Sequence, residues 1–261
     1  MSTPLSCYVL TFNSERRLSQ VLAAVKSVAD EIIVVDSGST DSTLSIAASY
    51  GARVLHRPFD NFRDQRVFAE DSCNYLWVLA LDSDEVLSTE LQETIKELKT
   101  NELSLSDSPP IDAFSIKYVW YFINQPVSAF YPVRSPQYIV RLFRRDRVSC
   151  RGSRMIHESL QLENASVRVL EQPIFHYSCD SIDGLYAKIG LYSKLSAEDM
   201  HAKGIKSSWL KIHLYPKLIW FRWYIVYGGW RDGAAGVVLS NYARDTTYLK
   251  YLKLKYLDTG K

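Results

Sequence analysis

The chain has 261 residues, 47% of them hydrophobic and 23% charged, with a formal net charge of +2. This is enough apolar material for one large globular domain or a domain with an appendage, and it excludes a disordered or fibrous chain. Nucleic acid is a poor reading of the chain, because residues 1–204 are on balance acidic and no recognition motif appears.

The first strand formers run from Ser6 to Thr11, and no basic, apolar leader precedes them, so no signal peptide is expected. Asn13 and Ser14 offer a helix cap, after which Leu18, Val21, Leu22, Val25 and Val28 recur at helical spacing. Glu31 to Asp36 is a continuous β-branched run, the pattern of a strand buried on both faces. The polar turn Ser37 to Ser42 leads into a helix through Tyr50, stopped by Gly51, with Asp41 or Ser42 as its cap. A third strand covers Arg53 to His56, and a loop and short helix lead to the apolar run Leu76 to Leu81. Leu91 to Leu98 continues as an amphipathic helix. Strand and helix alternating at this spacing predict βαβ units and a largely parallel sheet.

Ser104 to Pro110 reads as a linker, and the texture changes after it. Asp112 to Phe122, Gln137 to Phe143 and Glu171 to Tyr177 read as strands, and Ile182 to Lys203 as a helix closed by Gly204. From Ile205 onward ten Lys or Arg face three Asp, whereas residues 1–204 carry 21 basic against 26 acidic groups. Four of the six Trp also lie in that tail, which suits a helical segment resting on an anionic membrane surface; packing against the body is the competing reading. No run reaches the roughly eighteen uninterrupted apolar residues of a spanning helix. Cys7, Cys73, Cys150 and Cys179 are scattered, with no CxxC pair, and read as reduced cytosolic thiols rather than zinc ligands.

The most informative feature is Asp82-Ser83-Asp84-Glu85 at the end of the apolar run. Three carboxylates within four residues raise one another's pKa, so a cation is expected among them. A hard divalent ion, reached through one or two carboxylates plus substrate phosphates, fits that need. The plainer reading is a solvated acidic turn capping the next helix. Asp36 ends another strand and is followed by Ser37-Gly38-Ser39, where Gly38 lets backbone approach a ligand.

His157-Glu158 follows Arg141, Arg144, Arg145, Arg147, Arg151 and Arg154. Glu158 suits a general base and His157 a metal ligand, while a surface ion pair is the alternative. The arginines suit a diphosphate or the solvated side of a strand. His56 and His176 read as structural.

Together these residues resemble the family 2 glycosyltransferases of the GT-A fold, and among them small bacterial enzymes of the lipopolysaccharide-core β-1,4-glucosyltransferase type. The matching pieces are Thr11 to Glu15, Ala29 to Asp41, Trp77 to Glu85, Arg141 to Arg145, His157-Glu158 and Gly229 to Gly233. The resemblance implies an α/β, GT-A-like (Rossmann-like) fold with a mostly parallel central sheet, flanking helices and a C-terminal helical tail. Residues 1–103 would form the nucleotide-sugar-binding half, 104–204 the acceptor-side half and 205–261 the basic aromatic tail.

It further implies inverting, metal-dependent transfer from a nucleotide-sugar, a UDP-hexose, to a lipid-linked saccharide. Asp36 and Asp82 would hold uridine and ribose, with Ser37, Gly38 and Ser83 beside them. Thr11, Asn13 and Glu15 would lie along the nucleotide. Asp84 would bind Mg²⁺ or Mn²⁺ with His157, and Glu158 would be the base. Gln65 and Arg66 match a donor loop that usually continues with Asn, where this chain has Val67. The enzyme would sit in the cytoplasm, peripheral on the inner face of the cytoplasmic membrane. A sugar-nucleotide pyrophosphorylase would want a Gly-rich basic loop after the first strand, and Thr11 to Arg17 has no Gly. A non-catalytic nucleotide-sugar-binding or scaffold module is opposed by intact Asp82, Asp84 and Glu85.

Overall fold

The structure is a computed structural model that describes residues 2–103, 111–151 and 165–258. It divides into two compact units, residues 1–118 with 138–176 and residues 119–137 with 177–261. The linker read at 104–110 and the pair His157-Glu158 lie outside the described residues.

The first unit begins with β1 (Leu5–Thr11), α1 (Leu18–Lys26), β2 (Glu31–Asp36), α2 (Thr43–Ser49), β3 (Arg53–His56) and α3 (Phe62–Ser72). It continues with β4 (Trp77–Asp82), β5 (Glu85–Leu87) and α4 (Thr89–Asn101). In chain order there follow β6 (Ala113–Phe122), then β7 (Gln125–Pro126), β8 (Ala129–Phe130) and β9 (Val133–Arg134), which belong to the second unit, and then β10 (Gln137–Arg144) and β11 (Val167–Cys179). The sheet order is β3-β2-β1-β4-β10-β6-β11-β5, with β7 on β6. The expected parallel pairing holds for β3-β2-β1-β4. Beyond β4 the sheet is mixed, because β10 joins β4 and β5 joins β11 antiparallel.

Period-two alternation explains why both faces of this sheet are covered. Val9, Trp77, Leu79 and Leu81 face one core with Leu18, Leu22, Val25, Leu91 and Ile95 from α1 and α4. Tyr8, Ile33, Val35, Val78 and Ala80 face the other, with Ala69 from α3 and Cys73 just after it.

The starts of α1 and α4 differ from the sequence reading, and that of α2 settles on one of its two candidate caps. No side chain caps α1, so Asn13 and Ser14 are left to the loop before it. At α2, Asp41 Oδ1 accepts from the Thr43 N–H at 3.0 Å, whereas the Ser42 side chain makes no cap bond. Helix α4 starts earlier than its apolar periodicity suggested because Ser88 accepts from the Leu91 N–H at 3.1 Å.

The second unit holds the β8–β9 hairpin, α5 (Ile182–Ala202), α6 (Trp209–His213), α7 (Tyr215–Phe221), a π-turn at Arg222–Val226, a 3₁₀ turn at Gly229–Asp232 and α8 (Gly233–Asp258). Phe122, Phe130, Leu185, Ile189, Leu239 and Tyr242 form its main core. Asp232 ties the unit together: Oδ2 accepts from the Ser128 N–H at 2.7 Å and Oδ1 from the Ser128 hydroxyl at 2.8 Å. Gly229 and Gly236 let α8 lie against the preceding turn, since a Cβ on Gly236 would stand 1.7 Å from the Gly229 carbonyl oxygen. Within the motif Gly229 to Gly233, Gly229 and Asp232 thus serve the packing of this unit. Of the tail's second basic aromatic segment, Tyr251 and Leu254 on α8 are buried with Ala197 and Ile212.

Candidate active site

Three adjacent parallel strands end side by side in the first unit. The register pairs Thr11 with Asp36 and Leu10 with Asp82, so the two acidic strand ends flank β1. This is the carboxyl edge of an open α/β sheet, where such folds receive ligands.

Asp36 is 1% exposed. Its Oδ2 accepts from the Gly38 and Ser39 N–H groups, each at 2.9 Å, and its Oδ1 from the Ser39 and Thr11 hydroxyls at 2.5 and 3.1 Å. Burial pushes this carboxyl's pKa up, but the bonds from Ser39, Gly38 and Thr11 outweigh it and hold the group below the usual range. Four donors fill the carboxylate's four lone-pair positions, so Asp36 organises the turn, and contact with a base needs one donor to give way. Gly38 sits at φ +102, a region that disfavours side chains, while a Cβ there would find room 3.7 Å from His56 Cε1.

The loop after β1 is laced to the loop after β2. The Asn13 N–H donates to Ser39 Oγ at 2.8 Å, and Asn13 Oδ1 accepts from the Thr40 N–H at 2.9 Å. The Glu15 N–H donates to Asp41 Oδ2 at 3.1 Å, and Glu15 Oε2 accepts from the Ser42 N–H at 3.0 Å. Ser14 bridges onward, donating its hydroxyl to Ser83 Oγ at 2.7 Å. Gln65 reaches the same edge, donating from Nε2 to Ser37 Oγ at 3.0 Å. Gln65 and Arg66 stand on α3, not in a loop, and both are buried.

The cation expected among the acids is in large part guanidinium. Arg66 Nη2 donates to both Asp82 oxygens, at 2.8 and 2.9 Å. Arg141 Nη2 donates to Asp82 Oδ2 at 3.0 Å and to Glu85 Oε1 at 2.5 Å, while its Nε donates to the Tyr118 hydroxyl at 2.5 Å. Burial raises the Asp82 pKa, but Arg66, Arg141 and His176 reverse this and keep it well below the ordinary range. Glu85, fully buried, has its pKa raised by burial against the pull of Arg141. Glu85 Oε2 also accepts from the Asp82 N–H at 3.1 Å, so both its oxygens are used.

Asp84 is the carboxylate of this turn with no arginine partner among the described residues. Its Oδ2 lies 3.3 Å from Nε2 of His176, and the two side chains are 37% and 17% exposed. Antiparallel pairing of β11 with β5 sets His176 opposite Glu85 and brings it there. Burial disfavours the charged imidazole, but Asp84, Glu85 and Asp82 together raise its pKa above the ordinary value. Ligand atoms of Asp84, Glu85 and His176 all lie within 4.8 Å of one another. With Glu85 taken up by Arg141, Asp84 and His176 fit a hard divalent ion as one oxygen and one nitrogen ligand, a set that substrate phosphates would complete.

The structure therefore unites Thr11, Asn13, Glu15, Asp36, Ser37, Gly38, Gln65, Arg66, Asp82, Ser83 and Asp84 around one sheet edge. His157 and Glu158 lie outside the described residues. His176, read as structural, and the bridging roles of Arg141, Ser14 and Ser39 were not foreseen. The sole signal for His176 was a titratable side chain inside an apolar strand run.

The model of the family described as "Glycosyl transferase family 2" matches residues 6–161. An uncharacterised glycosyltransferase of Rickettsia typhi is 31% identical, the match covering 97% of this chain and 87% of the relative. The lipopolysaccharide core biosynthesis glycosyltransferase LpsC of Rhizobium meliloti is 28% identical, covering 90% of this chain and 86% of that protein. The crystal structure of S. aureus TarS 1-349 in complex with UDP-GlcNAc superposes with a TM-score of 0.49 at 16% identity, covering 99% of this chain and 93% of that one. On the family match and the R. typhi relative, the chain belongs to glycosyl transferase family 2.

Proposed function

We propose that the enzyme transfers a hexose, with inversion, from a UDP-sugar to a lipid-linked saccharide such as lipopolysaccharide core. The observation that carries this reading is Asp84 paired with His176 beside the arginine-locked Asp82 and Glu85, at the edge where β1, β2 and β4 end. The name of the R. meliloti relative supports the choice of acceptor.

In this reading the braced loops at 11–15 and 37–42 form the nucleoside pocket, and Asp82 with Ser83 holds the ribose. Asp84 and His176 would hold Mg²⁺ or Mn²⁺, which when bound supplies Lewis-acid stabilisation of the leaving diphosphate. The acceptor hydroxyl attacks the anomeric carbon from the face opposite the diphosphate, its proton passes to Glu158, and the bond to UDP breaks. A single base on the acceptor side suffices for inversion. Arg66 and Arg141 keep Asp82 ionised and fixed. No described helix is long and apolar enough to cross a membrane. The basic aromatic segment at 205–261 would hold the enzyme on the inner leaflet, where a lipid-linked acceptor is presented.

Mn²⁺-dependent hydrolysis of a UDP-sugar, together with the thermal shift from UDP plus Mn²⁺, tests this reading. The shift should appear because a ligand bound only to the folded state stabilises it by mass action. Asp84→Ala should abolish both signals. Hydrolysis and binding that are indifferent to metal in the wild type would overturn the metal-dependent transferase.

A further inference from the structure

The helical path from Trp209 to Val226 in the second unit has two opposite apolar faces. Ile212, Ile219 and Trp223 are buried in the unit's own cores. Leu210, Leu214, Leu218, Phe221 and Ile225 point the other way and are between 43% and 58% exposed. At about 100° per residue these five fall within roughly a quarter of a helical wheel. A stripe of large side chains in water along about four turns calls for an occupant. Exposed Lys217 and Arg222 border it.

Arg222 has a companion. Its Cζ lies 4.9 Å from the Tyr227 ring centroid, and the Cζ of Arg134, from β9, lies 4.6 Å from the same centroid. Neither guanidinium has a carboxylate partner or a hydrogen bond among the described residues. Stacking over a ring uses the flat face of a guanidinium and leaves its N–H edge directed outward. Two like charges are thus held on one tyrosine, pre-oriented, with their donors unspent. Such an arrangement is complementary to phosphate, which accepts from that edge two bonds at a time.

We propose that Arg134 and Arg222, mounted on Tyr227, clamp the headgroup phosphates of an anionic phospholipid leaflet while Leu214, Leu218 and Phe221 enter its acyl boundary. The proposal rests on the membrane reading above and deepens it: it assigns the contact to one helical face and one arginine pair. Charge complementarity selects the occupant, since ten basic groups against three acidic ones stand between Ile205 and Lys261. The tail's other basic segment contributes less, because Tyr251 and Leu254 turn inward. An in-plane helix anchored this way needs both the apolar insertion and the charge.

Sedimentation of the full chain with phosphatidylcholine vesicles, with and without phosphatidylglycerol, tests the proposal. The wild type should bind the anionic vesicles and bind neutral ones weakly. Arg134→Gln with Arg222→Gln should weaken anionic binding about thirtyfold, the loss expected for two basic groups at a charged surface. Leu218→Ser with Phe221→Ser should lose binding to both kinds of vesicle. UDP-sugar hydrolysis unchanged in each double variant certifies folding. Excess inorganic phosphate should leave wild-type sedimentation intact at constant ionic strength; displacement by it would identify a free-phosphate site and overturn the leaflet assignment. Full anionic binding by the arginine variant overturns the clamp while leaving the membrane reading standing. A wild type that binds no vesicle overturns both.

Discussion

His176 Nε2 stands 3.3 Å from Asp84 Oδ2, joining a strand from the far end of the sheet to the acidic turn after β4. An imidazole and a carboxylate so placed would make a two-ligand seat for a cation that also needs phosphate oxygens. His176→Ala should therefore weaken Mn²⁺ binding in the presence of UDP by at least tenfold, read by titration calorimetry. His157→Ala is the comparison: if it carries the loss instead and His176→Ala binds normally, the seat is misassigned.

Arg141 should matter to stability as much as to chemistry. It satisfies Asp82 and Glu85 with one nitrogen and leans on Tyr118, which is fully buried. Arg141→Met leaves a buried carboxylate without its main partner, a defect that costs about 3–5 kcal/mol. Urea unfolding should show that loss, and Arg141→Lys should recover part of it. A methionine variant within about 0.5 kcal/mol of wild type, the usual range for surface changes, would mean Arg66 alone compensates the pair.

Two glycines should respond to alanine in opposite senses. Gly236→Ala drives a methyl onto the Gly229 carbonyl oxygen, 1.7 Å from the ideal Cβ position. Backbone must move, so a loss of about 3 kcal/mol or more is expected, at the upper end for overpacking. Gly190, inside α5, has nothing within 4 Å of its Cβ position. Gly190→Ala should raise stability by about 0.5–1 kcal/mol through helix propensity alone. Melting temperatures of the two variants check the pair.

All four cysteines are free and buried, and the Cys73 thiol is pushed up to about 12, first by burial and then by the charge of Glu31. The folded state holds this proton more tightly than the unfolded state, where a thiol titrates near 8.5. The stability it contributes is complete below about pH 8.5 and declines as pH rises toward 12. The melting temperature should accordingly fall between pH 8 and 10 more steeply in the wild type than in Cys73→Ala. Equal slopes would show that other groups set the alkaline limit. At pH 8 the native protein should also resist iodoacetamide.

Much of the first unit was legible because its signals are local. The β-branched run before Asp36, the apolar run before Asp82 and the helical spacing from Leu18 to Val25 each lie within one element. Their parallel pairing follows from the alternation of strand and helix. Acidic residues at two strand ends were enough to put Asp36 and Asp82 together at the sheet's carboxyl edge. The caps were less legible: Asn13 and Ser14 look like helix starters, yet their bonds go to Ser39, Thr40 and Ser83.

What the chain's order of residues determined alone was the βαβ frame, the acidic edge and the family. Which cation meets which acid was decided only in three dimensions. Arg141 reaches Asp82 through the antiparallel join of β10 to β4, and His176 reaches Asp84 through the register of β11 on β5. A strand's periodicity tells which side chains share a face, but not which residue of a distant strand will stand opposite, because register is set by packing across the sheet. That register turned a histidine read as structural into Asp84's partner, and supplied arginines where a metal alone had been expected.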